Sequence, residues 1–539
     1  MNTLQKAAAL GLACSVLLPL KIAGETVLSG AVVDDQTGRP VPCRLTLTGS
    51  DGKAWFVRSS DPTGSAVVYD KTRSPRSVER HTTLSAHPFV AELPPGEYLL
   101  RAERGKEYLP VESVVTLGDE PHSVELRLKR WTDMAARGWY SGDTHVHRSL
   151  DELPNVMLAE DLNVALPLSY WVRTAYTAPE QDPLSAAVDA KLTAVDATHV
   201  IWPVNTEYEI FSVNGQNHTL GAVFVLNHRQ SLVPGAPPVT PIAKLAREQG
   251  AILDLDKHSW PWSLMLVPVM DVDLFELTNN HVWETEFYFT RWTTGVQPEG
   301  WEIETNEHGW TEWGWIDFGF KTYYALLNSG FRLRPTAGTA SGVHPVPLGF
   351  GRVYVHVPGE FAFDKWMDGL NAGRSFVTTG PLLVCEFNGG DPGQTIVARG
   401  PTRLKIRGTA ESVRPLAAIE LILNGDVVRE IPVQNQRSEA GVYTTTIDDE
   451  ITLESSGWVA VRCFEEHPSR RNRFAHTGPV HVDITGRPLL PRLHEVRYFV
   501  SRMEQELERN RGVLKAEELA EYEQALAVYR ELLQRTDGE

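Results

Sequence analysis

Apolar and polar residues alternate one by one through CRLTLTG (43–49) and VELRLKR (124–130). That period of two belongs to strands with one buried face. Turn clusters separate such runs, among them DDQTGRP (34–40), GSDG (49–52) and LPPGEY (93–98). Short strands with frequent turns predict a β-sandwich over residues 25–132. From 133 to 350 the pattern changes to strand-like runs alternating with helical ones. YSGDTHVH leads to the helical PNVMLAEDL and then to NVALPLSY. HVIWPVNTEYEI and HTLGAVFVLNH follow, and the helix PIAKLAREQG, with its glycine stop, leads into AILDLDKH. DLFELTNNH, a long aromatic helical stretch and LRPTAGTASGVH complete the region. This alternation predicts an α/β domain with a largely parallel sheet, open or closed into a barrel. Strand patterning returns over 351–488, as in GRVYVHV and SGWVAVRCF. Over 489–539 two stripes with spacings of 3 and 4 (Leu493, Val496, Phe499, Val500, Met503, Leu507; then Leu519, Tyr522, Leu526, Tyr529, Leu533) flank RNRG, predicting a helical hairpin.

The 539-residue length fits several domains, and a net charge of -18 disfavours a nucleic-acid or anionic-membrane partner. Lys6 followed by an apolar run to Leu20 reads as a secretory signal over 1–24, so an exported protein, periplasmic or extracellular, is expected. No second apolar stretch approaches a membrane span. Cys14 would leave with the signal. Cys43, Cys385 and Cys463 show no CxxC spacing and read as buried small residues, with one bridge left open.

Polar residues close several apolar runs of the 133–350 region: HVH, TEYE, DKH, ELTNNH and GVH. If these runs are parallel strands, those ends converge on one face, where α/β barrels build their sites. His145 and His147 are i and i+2 on a strand, on one face and about 6–7 Å apart, so both imidazoles can lean onto one ion. Glu207, His218, His258, His281 and His344 stand at other strand ends. An imidazole and carboxylate set suits zinc, manganese or iron better than magnesium or calcium.

YSGDTHVH, then Glu207, HTLG, His258 and a glycine-rich stretch ending in His344 resembles the PHP metallohydrolases, with the CehA/McbA-like family as the closest subgroup. GRSFVTTGPLLVCEFNG (373–389) and RFAHTGPVHV (473–482) look like that family's C-terminal segments. The N-terminal LSGAVVDDQTGRPVP with LPPGEYLLRAERG resembles carboxypeptidase-regulatory-like sandwiches. The resemblance implies a distorted (β/α)7 PHP-like barrel flanked by N- and C-terminal β-sandwich domains, hydrolysing phosphate esters or, in this subgroup, carbamates and aryl esters. Carried over, it implies His145, His147, Glu207, His218, His258 and His344 as metal ligands, with Glu207 bridging. Two motifs depart from the family pattern. Ser169 and Tyr170 stand where Asp-His is usual, and Gly342 where an aspartate precedes the last histidine. One or two divalent ions are therefore expected rather than three.

Around such a site Lys257, Arg148 and Arg173 are candidates to stabilise an oxyanion. Asp143 could orient a ligand histidine. Tyr170 could line the pocket, and His281 could touch metal or substrate. Eight of the 15 tryptophans lie between 260 and 315, a density that suits stacking on a sugar or aryl group as well as packing. Two functions follow: an exported metal-dependent hydrolase of a small-molecule or glycan substrate, or an inactive PHP-like barrel that binds a glycan or protein. No GxSxG elbow marks a serine hydrolase.

Overall fold

The computed structural model describes residues 24–75, 77–181, 188–287, 289, 298–467 and 471–536. The export segment read over 1–24 lies outside them apart from Gly24, and so does Trp292.

The chain is a mixed α/β, strand-rich molecule. The N-terminal part pairs a sheet containing Thr26–Asp34, Phe89–Leu93 and His122–Arg130 with a second one built on Cys43–Gly49, Val78–Leu84 and Gly96–Glu103. Leu28, Leu45, Leu47, Leu100, Leu126 and Leu128 fill the space between them and touch no other core. Leu45, Leu47, Leu126 and Leu128 are apolar positions of the period-2 runs at 43–49 and 124–130, so alternation placed them.

In the middle of the chain Trp139–Val146 runs parallel to Val164–Pro167 and antiparallel to Arg352–His356. The same sheet continues through Ser375–Thr378, Phe474–Thr477 and Gly457–Glu465, so it crosses the boundary expected at residue 350. A seven-stranded sheet carries Tyr170–Thr174, Thr206–Val213, Gln216–Leu226, Ile252–Leu255, Leu274–Thr278 and Arg334–Ala337 in that order. It is mixed, not largely parallel: the hairpin 206–226 and its pairing with Ile252–Leu255 are antiparallel. A β-hairpin needs no crossover helix, and the sequence offers none between Val213 and Gln216. The two sheets meet where Thr144 Oγ1 donates to the carbonyl of Ala337, 3.2 Å away.

Helices Leu493–Asn510 and Ala516–Gln534 form the expected hairpin and bury Val496, Phe499, Met503, Tyr522 and Tyr529 in the central core. Each such side chain contributes about 2 kcal/mol of transfer free energy. The turn between them uses Gly512 at φ 77°, and Glu518 accepts from the Lys515 N–H at 2.7 Å to satisfy the second helix's start. No helix among the described residues is long and apolar enough to cross a membrane. Cys43, Cys385 and Cys463 are free and buried. Burial pushes the Cys43 thiol up to about 12.

His476 shows how the joined sheet tolerates polar groups. Its Nδ1 donates to the Thr477 carbonyl at 2.7 Å and its Nε2 accepts from Tyr324 Oη at 2.9 Å. Burial holds the ring neutral, with its pKa pushed down to about 3. The unfolded chain takes up that proton near pH 6.5, so the stability contributed is full above 6.5 and declines as the pH falls toward 3. Denaturant titrations should show the parent's advantage over His476→Gln shrinking by about 2 kcal/mol between pH 7 and pH 5. An advantage independent of pH would contradict a neutral buried ring.

Candidate metal centre

One face of the seven-stranded sheet collects acids. Glu207 pairs with Phe224, and Phe224 pairs with Asp254. Residues directly opposite each other share a face, and so do residues two apart on a strand. Glu207, Glu209 and Asp254 therefore face the same way, and Asp256, one residue past its strand, follows Asp254. Glu276, two residues past the Leu274 that pairs with Asp254, joins them. The His145–His147 pair enters from the other sheet, with the His145 ring against Phe224 at 4.5 Å.

Three groups of ligand atoms result, each with its atoms within 4.8 Å of one another: His145, His147 and Glu207; His145, Asp256 and Glu276; Glu207, Glu209 and Asp256. His145, Glu207 and Asp256 each belong to two of them. His145 Nδ1 is 3.2 Å from Glu276 Oε1 and 3.8 Å from Asp256 Oδ1, and His147 Nε2 is 3.3 Å from Glu207 Oε2. All of these carboxylates are buried. Neither oxygen of Glu207 accepts a hydrogen bond, nor does Asp256 Oδ1. A buried carboxylate without a donor is costly unless a cation meets it. The ammonium of Lys257 contacts Asp256 and lies 3.3 Å from Glu209. One lysine cannot neutralise four acids. Burial pushes Glu207 up to about 8 and Glu209 to about 7, against the pull of Lys257, and drives Glu276 well above the usual range, with Asp256 adding to it. The donor set, nitrogen and oxygen with no sulfur, fits a divalent transition metal, so these groups could hold one or more such ions.

Asp143 does not touch an imidazole. Its carboxylate accepts from the His145 N–H (3.0 Å), Thr339 Oγ1 (2.6 Å) and the Gly349 N–H (3.0 Å), pinning the 338–349 loop against the histidine strand. Burial raises it to about 6 in spite of those bonds.

His218, His258, His281, His344 and Tyr170, also singled out by sequence, belong to none of the three groups. His218 is six residues before Phe224 on its strand, about 20 Å along it at the usual rise. Its Nε2 contacts Asn510 Oδ1 at 2.7 Å, clamping the hairpin to the C-terminal helices. His258 turns into an aromatic wall of Phe275, Trp315 and Phe318, with Nδ1 3.2 Å from Asn279 Nδ2, and burial lowers it to about 3. His281 stacks on Phe289 at 3.7 Å. Tyr170 is half-buried, its ring 6.3 Å from that of His228.

Both ring nitrogens of His344 are engaged. Arg73, from the N-terminal sandwich, donates to Nδ1 at 2.9 Å, and Asn280 lies 3.4 Å from Nε2. A guanidinium only donates, so the neutral ring carries its proton on Nε2. The Asn280 amide then turns its oxygen toward that proton, which also satisfies an otherwise unbonded Oδ1. Tyr69 Oη donates to the His344 carbonyl and Lys71 to that of Gly342, so the sandwich props up this loop. Gly342 has φ 104°, and a Cβ there would collide with the His147 carbonyl. An aspartate has no room at that position.

Arg148 packs over Tyr69 at 3.8 Å and bonds Ser341, and Arg173 lies over Trp171. Trp262, Trp283, Trp301, Trp310 and Trp315 are buried in the central core. Asp256, Glu276 and Glu209 were missed because histidines were selected from segments whose acids carry the site. A period-2 reading of LDLD, with Asp254 and Asp256 alternating with Leu253 and Leu255, was the available signal. No protein-family model matches the chain, and no curated protein matches it.

Proposed function

We propose that the protein is an exported metal-dependent hydrolase of an ester, carbamate or phosphoester, of the PHP type that YSGDTHVH and GRSFVTTGP resemble. The observation that carries this reading is the overlap of three buried ligand groups through His145, Glu207 and Asp256. His145, His147, Glu207, Asp256 and Glu276 would hold one or two divalent ions. When bound, such an ion supplies a Lewis acid and an acidified water. Glu207 belongs to two of the neighbouring groups and would be the acid common to both if two ions are held. Lys257 contacts Asp256 and lies 3.3 Å from Glu209, holding both carboxylates in place. Asp143 fixes the backbone that presents His145. The inactive-barrel reading rests on the tryptophans and the flanking sandwiches as a binding surface, and five of the tryptophans lie in the core.

Protein produced with zinc or manganese should contain one or two ions per chain by elemental analysis. It should turn over aryl-ester, carbamate or phosphoester probes, lose that turnover to a chelator and regain it with metal. Protein that binds no metal even when produced with zinc or manganese, and that turns over none of these probes, would remove the hydrolase reading.

A further inference from the structure

Away from the metal centre, a cavity of about 380 Å³ opens where the N-terminal sandwich, the loop after His344 and the 457–465 strand meet. None of the candidate metal ligands lines it. Six cationic side chains and four carboxylates do, a local excess of positive charge in a chain of net charge -18. The acids do not neutralise these cations evenly. Arg44 alone takes Glu103, Glu160 and Glu284, at 3.2, 3.6 and 3.2 Å.

Three cations of the lining have no carboxylate within 4.0 Å among the described residues: Lys106, Arg352 and Arg414. The Arg352 guanidinium is buried, 1% exposed, and bonds only the carbonyls of Gly349, Asp161 and Glu160. Those bonds neutralise no charge. Two cations lie over the Phe350 ring, Lys106 Nζ 5.0 Å and the Arg473 guanidinium 4.9 Å from its centre. Burial, with Arg352 beside it, lowers the Lys106 ammonium to about 7. An anion in the cavity would reverse that. Phe350, Tyr108 and Trp131 add apolar surface to the same walls.

We infer that this cavity binds a small anion, the carboxylate or phosphate group of an organic molecule, headed by Lys106 and Arg352 with its body against Phe350. Volume, charge and aromatic lining agree with the usual make-up of a small-molecule site.

The test uses full-length protein treated with chelator, so that anions cannot report on metal. Calorimetric titration with benzoate and, separately, with inorganic phosphate should give saturable binding of at least one of them. In Lys106→Gln that binding should weaken by about tenfold, the loss of one charge-assisted contact. In His147→Ala it should be unchanged. Thermal melts establish that both variants fold, and Arg414→Gln serves as a second variant should Lys106→Gln not fold. Benzoate tighter than phosphate assigns an organic carboxylate, and the reverse order a phosphate head. Absence of saturable binding up to about 10 mM of either probe, or equal binding in parent and Lys106→Gln, would overturn the site.

Discussion

A Glu207→Gln protein is expected to fold, to melt no lower than the parent in chelator, and to lose most of its metal. The carboxylate it removes is buried with neither oxygen accepting a hydrogen bond. The amide keeps the shape, sheds the charge and brings two donors toward Asp256 and Glu209, with which Glu207 shares a ligand group. The sign of the pH effect follows from Glu207 being raised to about 8 in the fold from an ordinary value near 4.5. A raised acid contributes its stability at low pH and loses it as the pH climbs through that interval. In metal-free protein the variant should therefore gain on the parent between pH 5 and pH 8. Metal affinity should fall at least about 100-fold, since a directly ligating group matters more than its outer partners, and turnover with it. A variant that kept parental metal affinity would dismiss Glu207 from the centre.

The second large effect removes no ligand at all. Gly338 sits beside the site, and a Cβ there would overlap both Glu276 Oε1 and the His145 side chain. Its backbone lies outside the left-handed region, so the chain itself accepts alanine. What has to move is the pair that helps define one ligand group. Gly338→Ala should cost about 1–3 kcal/mol of stability through overpacking, and it should lower the ions counted per chain while every ligand remains in the sequence. Elemental analysis alongside a denaturant melt separates the two effects. Full metal content at parental affinity would mean that His145 and Glu276 do not act together.

Some of this was legible in the chain and some was not. His145 and His147 were visible because the relation i, i+2 is local: any strand puts both on one face. Glu207 was visible as an acid ending an apolar run. Asp256 and Glu276 were equally local in phase, but a period of two tells only that Asp254 and Asp256 share a face. Whether that face meets water or a second sheet depends on the strand from 139, in the other sheet, packing over it. His258 shows the converse. It follows Asp256 by two residues, yet the strand ends at Leu255, the phase is lost, and the ring goes to the aromatic wall. His218 sits on the right strand, but register places it far along a hairpin that the helical tail covers.

The sequence by itself determined the strands of the sandwich, the two C-terminal helices with their break, and the histidine pair, because each rests on interactions within a few residues. The tertiary structure decided the mixed strand directions and the single sheet running through residue 350. It also decided which acids face His145, and it made Arg73 and Lys71 of the sandwich the supports of the His344 loop. Those outcomes depend on register and on what covers each face, and both are set by contacts between residues distant in the chain.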